Sequence, residues 1–251
     1  MSHENLFQYL LRLGDNALIA GQRLGEMVTR GPELEEELAT ANFALDYIGQ
    51  ARLFYSLAAE VEGKSRSEDD LAFLRDGSDY HNILLLEQPN GDFAMTIARL
   101  FLFESFYQLQ LQQLANSANA QIAEIATKAI KEVQYHVRHA RQWLIRLGDG
   151  TAESHERMQS AIDELWRFTG EMFAADEIDA WAADEGIGPD LASLHGEWTA
   201  FVTAAMNEAT LQVPTDTWMA DGGKQGRHTE HLGYLLAEMQ FLQRAYPGAK
   251  W

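Results

Sequence analysis

The chain has 251 residues, with 38 Asp and Glu against 19 Lys and Arg, and therefore a formal net charge of −19. It contains no cysteine, which excludes disulfides, a thiol nucleophile, a Cys-ligated zinc and an iron–sulfur cluster. The negative charge argues against a nucleic-acid-binding protein, because contacts to phosphates need a basic surface. Since 46% of the residues are hydrophobic, the chain is expected to fold around a substantial core.

The apolar residues are those that favour helices. Ala and Leu total 65 residues, whereas Val and Ile total 17. Ala and Leu lose little entropy in a helix, and β-branched side chains suit strands, so the composition predicts an all-α protein. No apolar run approaches the roughly 20 residues that span a bilayer, and the first residues lack a basic signal region. We therefore expect a cytoplasmic protein with no membrane partner.

Pro and Gly residues separate the predicted helices along the chain. Pro32 is expected in the first turn of the second helix, and Gly63 is its expected C-cap. A long connection over 64–92 leads to Asp92, the predicted N-cap of the third helix. The seven predicted helices span about 4–29, 32–62, 93–116, 121–147, 152–183 (with a break near 174–176), 189–210 and 229–245.

The lengths of the connections indicate the fold. Short turns join the first helix to the second and the third to the fourth, and one long crossover joins the second to the third. Ferritin-like four-helix bundles have this pattern. We predict an all-α, ferritin-like four-helix bundle with one long crossover and additional C-terminal helices. It is expected to be a single domain over 1–251, with the core bundle at about 4–147 and accessory helices at about 152–245.

Two ionisable residues interrupt the apolar stripes of the third and fourth helices. Glu104 lies within the first of these stripes and His136 within the second, with Glu132 one turn before His136. A carboxylate on a core face must be paired, hydrogen-bonded or bound to a metal. In ferritin-like di-metal proteins two helices each supply a Glu and two others each supply Glu-x-x-His, a donor set that suits iron or manganese.

The sequence does not supply that full set of ligands. Val133 occupies the position three residues before His136, where a Glu would be needed. The first helix offers no clearly inward carboxylate among its polar residues, which are Asp15, Asn16, Gln22 and Glu26. Two readings of Glu104 with His136 stay open, a metal site and a buried ion or hydrogen-bonded pair, and the buried pair is favoured.

The second helix carries a polar residue beside its predicted core stripe. Asp46 follows Asn42 and precedes Gln50 at helical spacing. For Asp46 with Arg52, a core ion pair or a contact between subunits is favoured over metal ligation. The reason is that the planar guanidinium of Arg can bond a carboxylate through two hydrogen bonds in a desolvated contact. The predicted core stripe consists of Leu34, Leu38, Ala41, Leu45, Ile48, Arg52, Tyr55 and Ala59.

A glycine-rich loop precedes the last predicted helix. It carries Lys224 and Arg227, two cations that could hold an anion at a helix N-terminus or contact another protein chain. The loop lacks the P-loop spacing, and a simple hairpin loop capped by Thr229 is favoured. His228 and His231 stand three residues apart without a zinc-protease spacing, which predicts a surface or interface role for them.

Motifs from end to end of the chain resemble those of the C-subunit family of ring 1,2-phenylacetyl-CoA epoxidase, also called phenylacetate-CoA oxygenase. They include the segments 11–16 (LRLGDN), 22–26 (QRLGE), 49–52 (GQAR), 87–91 (EQPNG), 128–132 (KAIKE), 165–169 (LWRFT), 176–179 (DEID), 207–211 (NEATL), 222–224 (GGK), 228–233 (HTEHLG) and 237–240 (AEMQ).

The resemblance implies a ferritin-like subunit that pairs with a homologous catalytic A subunit, which carries the di-iron site. It also implies further epoxidase subunits and a reductase, which supplies electrons for inserting one oxygen atom of O2 into the ring of phenylacetyl-CoA. The C subunit is regarded as structural, so no catalytic, cofactor-binding or metal-binding residue is expected in this chain. Asp46, Glu104, Glu132 and His136 would then be vestiges of a lost site.

Two further expectations accompany this reading. The isolated chain is expected to be able to form a homodimer through the surface meant for the A subunit. The alternative function is that of an autonomous ferritin-like, metal-dependent oxygenase with a variant site at Asp46, Glu104, Glu132 and His136.

Overall fold

The computed structural model describes residues 2–215 and 218–249, and it confirms the all-α prediction. The described residues form α-helices and short 3-10 turns and contain no strand. None of the helices in these ranges is long and apolar enough to cross a membrane. The helices are α1 (Ser2–Gly25), α2 (Leu34–Glu62), α3 (Glu68–Phe73), α4 (Leu84–Glu87), α5 (Phe93–Leu114), α6 (Ala120–Gly148), α7 (Ala152–Trp166), α8 (Glu177–Asp184), α9 (Leu191–Glu208), α10 (Glu230–Met239) and α11 (Phe241–Ala245).

Local signals determine where the long helices begin and end. The Asp92 carboxylate accepts a hydrogen bond from the Met95 backbone N–H at 3.0 Å, which confirms the predicted N-cap of α5. Gly63 ends α2 in the left-handed region, with φ of 69°, as expected for a C-cap glycine. The placement of Pro32 in the first turn of α2 was wrong, because α2 begins at Leu34 with Glu33 as its N-cap.

Two of the predicted helices are interrupted. The span 152–183 consists of α7 and α8, separated by a 3-10 turn at Gly170–Met172, and the side chain of Asp176 caps the start of α8. This agrees with the predicted break near 174–176. The span 229–245 consists of α10 and α11, which meet at Gln240. The Gln240 side chain is buried and donates to the carbonyl of Arg75 at 3.0 Å.

The chain divides into two compact units. The first comprises residues 1–29, 33–89 and 222–251, and its main feature in the described ranges is the long hairpin of α1 and α2. The second comprises 30–32 and 90–221, and in it α5 packs against α6, α7 and α9. The C-terminal helices α10 and α11 thus belong with the first hairpin, while α7 to α9 belong with the second. The single domain over 1–251 stays a prediction.

The predicted core stripe of α2 was largely wrong. Leu34, Leu38 and Leu45 are exposed, with 66%, 57% and 68% of their surface open, and Arg52 is exposed too. The opposite side of the helix is buried instead, and it carries Phe43, Ala44, Tyr47, Gln50, Ala51, Phe54 and Tyr55. Since α2 is apolar on both sides, its sequence periodicity alone could not decide which side faces the core.

Candidate functional site

A carboxylate and an imidazole meet in the core of the second unit. The side chains of Glu104 on α5 and His136 on α6 are both fully buried, and Glu104 Oε1 lies 3.4 Å from His136 Nδ1. They are held there because α5 packs against α6, and Leu100 and Val133 on the same stripes are also buried. The structure therefore brings together the two residues that interrupt the predicted core stripes, within the distance of the buried pair that the sequence favoured.

Glu132 lies close to this pair. It stands one turn before His136 and is half-buried. Burial raises the pKa of the Tyr107 phenol, and the negative charge of Glu132 raises it further. Tyr107 is one turn after Glu104 on α5, and its ring stacks on that of Phe103 with 5.1 Å between centroids. A neutral phenol, an imidazole and two carboxylates thus share one region of the α5–α6 pair.

Asp46 belongs to the first unit and is half-buried. The suggestion that Arg52 forms a core ion pair with it was wrong, because 73% of the Arg52 side chain is exposed and its Nε donates to Glu68 at 3.2 Å. A contact of Arg52 with another protein chain stays a prediction.

The residues of the described ranges do not form the donor set of a di-metal centre. Such a centre in a ferritin-like bundle uses four carboxylates and two imidazoles. Within 2–215 and 218–249, no group of three or more His, Cys, Asp or Glu residues is placed to hold a metal ion. The side chains of Glu104 and His136 instead lie within ion-pairing distance of each other, and no reaction step is assigned to them.

The glycine-rich loop packs on its own unit by close backbone contact. A Cβ on Gly223 would collide with the Asn82 carbonyl oxygen, and a Cβ on Gly226 would collide with that of Ser78. The two cations of the loop do not form a joint exposed patch, because Lys224 is buried and Arg227 is not. The glycines are thus explained by packing, and an anion or interface role for the loop stays a prediction.

Sequence analysis missed a buried polar cluster that joins this loop to the segment 82–87. Glu87 is fully buried and accepts from Asn82 Nδ2 at 3.1 Å, from the Thr229 hydroxyl at 2.7 Å and from His228 Nδ1 at 2.8 Å. The second ring nitrogen of His228 donates to the Tyr80 carbonyl at 2.9 Å. The surface role predicted for His228 was wrong, since only 7% of its side chain is exposed.

Both nitrogens of His228 face acceptors, which favours the doubly protonated form of the ring. Burial alone would lower the pKa of His228, but the hydrogen bond to Glu87 and the charge of that carboxylate raise it above its usual value. Glu87 and His228 both lie in segments that resemble family motifs, EQPNG and HTEHLG. Nothing in the sequence indicated that these two segments contact each other, because they are brought together only by the fold.

A second missed cluster surrounds Asp15 on α1. Asp15 is fully buried, which corrects the reading that α1 has no inward carboxylate. Its carboxylate accepts two hydrogen bonds from the Arg75 guanidinium and one from the Tyr55 hydroxyl at 2.5 Å. The Arg75 guanidinium also lies 4.3 Å from the centre of the Tyr80 ring. These contacts attach the α3 region to the α1–α2 hairpin.

Comparisons with known proteins give two matches. The family model described as "Phenylacetic acid catabolic protein" matches residues 1–251. A protein of Escherichia coli (strain K12), named as the C subunit of 1,2-phenylacetyl-CoA epoxidase, is 53% identical over 246 residues, which cover 98% of this chain and 99% of that protein.

Proposed function

The chain belongs to the phenylacetic acid catabolic protein family, and on that premise we propose that it is a non-catalytic structural subunit of a phenylacetyl-CoA epoxidase. Its role would be to support a homologous catalytic A subunit, which would hold the di-iron centre. That metal centre would supply the oxygen-activating chemistry, with electrons from a reductase. The residues of the present chain would stabilise the assembly.

The observation that carries this proposal is the buried contact between Glu104 and His136. Glu104 Oε1 lies 3.4 Å from His136 Nδ1 with both side chains fully buried, a distance that fits an ion pair and also fits two ligands of one metal ion. Within 2–215 and 218–249, however, no third His, Asp or Glu joins them in a group that could hold a metal ion. An opposite charge or hydrogen-bonding partner offsets the cost of burying a carboxylate. The pair therefore supports a packing role for residues that a catalytic relative would use as ligands.

The 53% identity to a protein named as the C subunit of the epoxidase supports the assignment as a C subunit, because it extends over nearly the whole of both chains. The family match likewise covers residues 1–251.

Activity of the reconstituted complex tests the proposal. The chain is co-expressed with the A subunit of a phenylacetyl-CoA epoxidase, and size-exclusion chromatography, iron content and product formation with a reductase are measured. We expect the two chains to elute as a complex, the iron to copurify with the A subunit, and product to form only when both chains are present. Two chains that elute separately at about micromolar concentration would contradict the proposal.

Variants of this chain separate a structural role from a catalytic one. Glu132→Gln keeps the size of a half-buried side chain and removes its charge, so we expect unchanged complex formation and product formation. Asn207→Gln at an exposed position of α9 is a matched control for a conservative amide change. If the isolated chain binds iron stoichiometrically and turns over substrate, the autonomous oxygenase reading replaces the proposal.

A further inference from the structure

The outer side of α2 carries an apolar face that the chain itself leaves uncovered. Leu34, Leu38 and Leu45 follow one another at helical spacing, and more than half of each side chain's surface is exposed. Leu53, which is also partly exposed, continues the line by two further turns. We call these four leucines the outer leucine face. Single exposed leucines are ordinary, but a contiguous apolar line over several turns is typical of an interaction surface.

The other side of the same helix already has its partner. Phe43, Tyr47 and Phe54 are almost fully buried, and α2 packs along the length of α1. A helix that is apolar on both sides is normally covered on both sides. The inner side of α2 is satisfied within the chain, so the outer leucine face requires a second molecule.

Gly49 gives an independent sign of close approach. It lies in the interior of α2 between Leu45 and Leu53, and beyond its own helix backbone no heavy atom of the described residues comes within 4 Å of where its Cβ would stand. A glycine inside a helix costs roughly 0.5–1 kcal/mol relative to alanine. Contacts within the chain do not explain this cost, whereas a neighbouring helix backbone that passes close to α2 would.

The charges around the face select the kind of partner. Acidic residues flank the outer leucine face along the sequence at Glu33, Glu35, Glu37, Asp46 and Glu60. Arg52, the one cation in the sequence of α2, lies on the same side as the leucines. Arg52 is engaged by Glu68 at 3.2 Å. A second copy of this chain would place acidic border against acidic border, on molecules that each carry a formal charge of −19.

We propose that the outer leucine face docks an apolar helix of a different subunit, and that Lys and Arg residues flank that helix. The proposal rests on the proposed function, which makes this partner the catalytic A subunit. The apolar contact supplies the buried area, and the complementary charges orient the two helices and disfavour a second copy. In this respect the proposal departs from the expectation that the isolated chain forms a homodimer through the surface meant for the A subunit.

The test uses the full chain with Leu38→Glu and Leu45→Glu combined. Both side chains are largely exposed, so the isolated variant is expected to fold with an unchanged circular dichroism spectrum and melting temperature. We expect its affinity for the A subunit, measured by isothermal titration calorimetry, to fall at least about thirtyfold, as for central interface residues. Leu242→Glu on α11 is the matched control, because it places the same charge at another exposed leucine.

The outcomes distinguish this proposal from the proposed function. If the wild-type chain binds the A subunit and the double variant binds equally well, the docking face is wrong and the proposed function stands. If the wild-type chain does not bind the A subunit at all, both fail. If the isolated chain is a dimer that Leu45→Glu dissociates, a second copy occupies the face and the heterologous partner is wrong.

Discussion

His228 and Glu87 form a buried ion pair that joins the start of α10 to the end of α4. The two groups are 141 residues apart in sequence, and His228 Nδ1 lies 2.8 Å from Glu87 Oε2. The Tyr80 carbonyl accepts from the other ring nitrogen, so the contact depends on a protonated imidazole. Its strength is therefore linked to pH.

We expect the pair to stabilise the protein at low pH and to weaken as the pH rises. The folded-state pKa of His228 is raised above its unfolded value of about 6.5. The stabilisation is thus fully present below that value and is lost as the pH rises through the folded-state pKa. Urea unfolding of the wild type and of His228→Gln between about pH 6 and 9 measures it. The difference in unfolding free energy should shrink with rising pH, and a constant difference would contradict the prediction.

Removal of Arg75 is expected to be strongly destabilising. Arg75→Ala leaves the Asp15 carboxylate buried without its cation and should cost about 3–5 kcal/mol of unfolding free energy. Arg75→Lys should cost less but still be destabilising, because an ammonium cannot reproduce the bidentate hydrogen bonding of the guanidinium to Asp15. Denaturant unfolding checks both variants. Arg52→Ala is the control, since its exposed pair with Glu68 should contribute less than about 1 kcal/mol.

The Glu104–His136 pair predicts a non-additive effect on stability. His136→Ala should cost about 3–5 kcal/mol, because a buried contact of the Glu104 carboxylate is lost and a cavity is left. Replacing both residues by leucine should cost less than the single change, since two apolar side chains need no compensation. Thermal unfolding of the two variants decides. A double variant less stable than His136→Ala would show that the polar pair is needed for more than mutual compensation.

Two glycines should respond in opposite ways to alanine. Gly223→Ala drives a Cβ into the backbone oxygen of Asn82 and should destabilise the chain by about 1–3 kcal/mol. Gly49→Ala meets open space in α2 and should stabilise the isolated chain by about 0.5–1 kcal/mol. Melting temperatures of the isolated variants measure both. If Gly49→Ala also weakens binding to the A subunit, the close approach proposed for α2 gains support.

Much of the helical order could be predicted from the sequence alone. Prolines, glycines and the Asp92 cap are local signals, and they placed the long helices to within a few residues at most ends. The inward positions of Glu104 and His136 were also predictable, because each interrupts an apolar stripe at helical spacing. The partner of each stripe was predictable only for α6, since α6 has one buried side whereas α5 is buried nearly all round. Local periodicity carries such information whenever a helix has one apolar side.

The tertiary structure alone decided which side of α2 is core, because both sides carry apolar residues at helical spacing. It also decided the polar contacts of Asp15 with Arg75 and of Glu87 with His228, which join residues 60 and 141 positions apart. The sequence by itself determined the all-α class and the residues available for such contacts. The pairing of distant charges follows from how the helices pack, since the cost of burying each charge is offset only by the partner that packing brings to it.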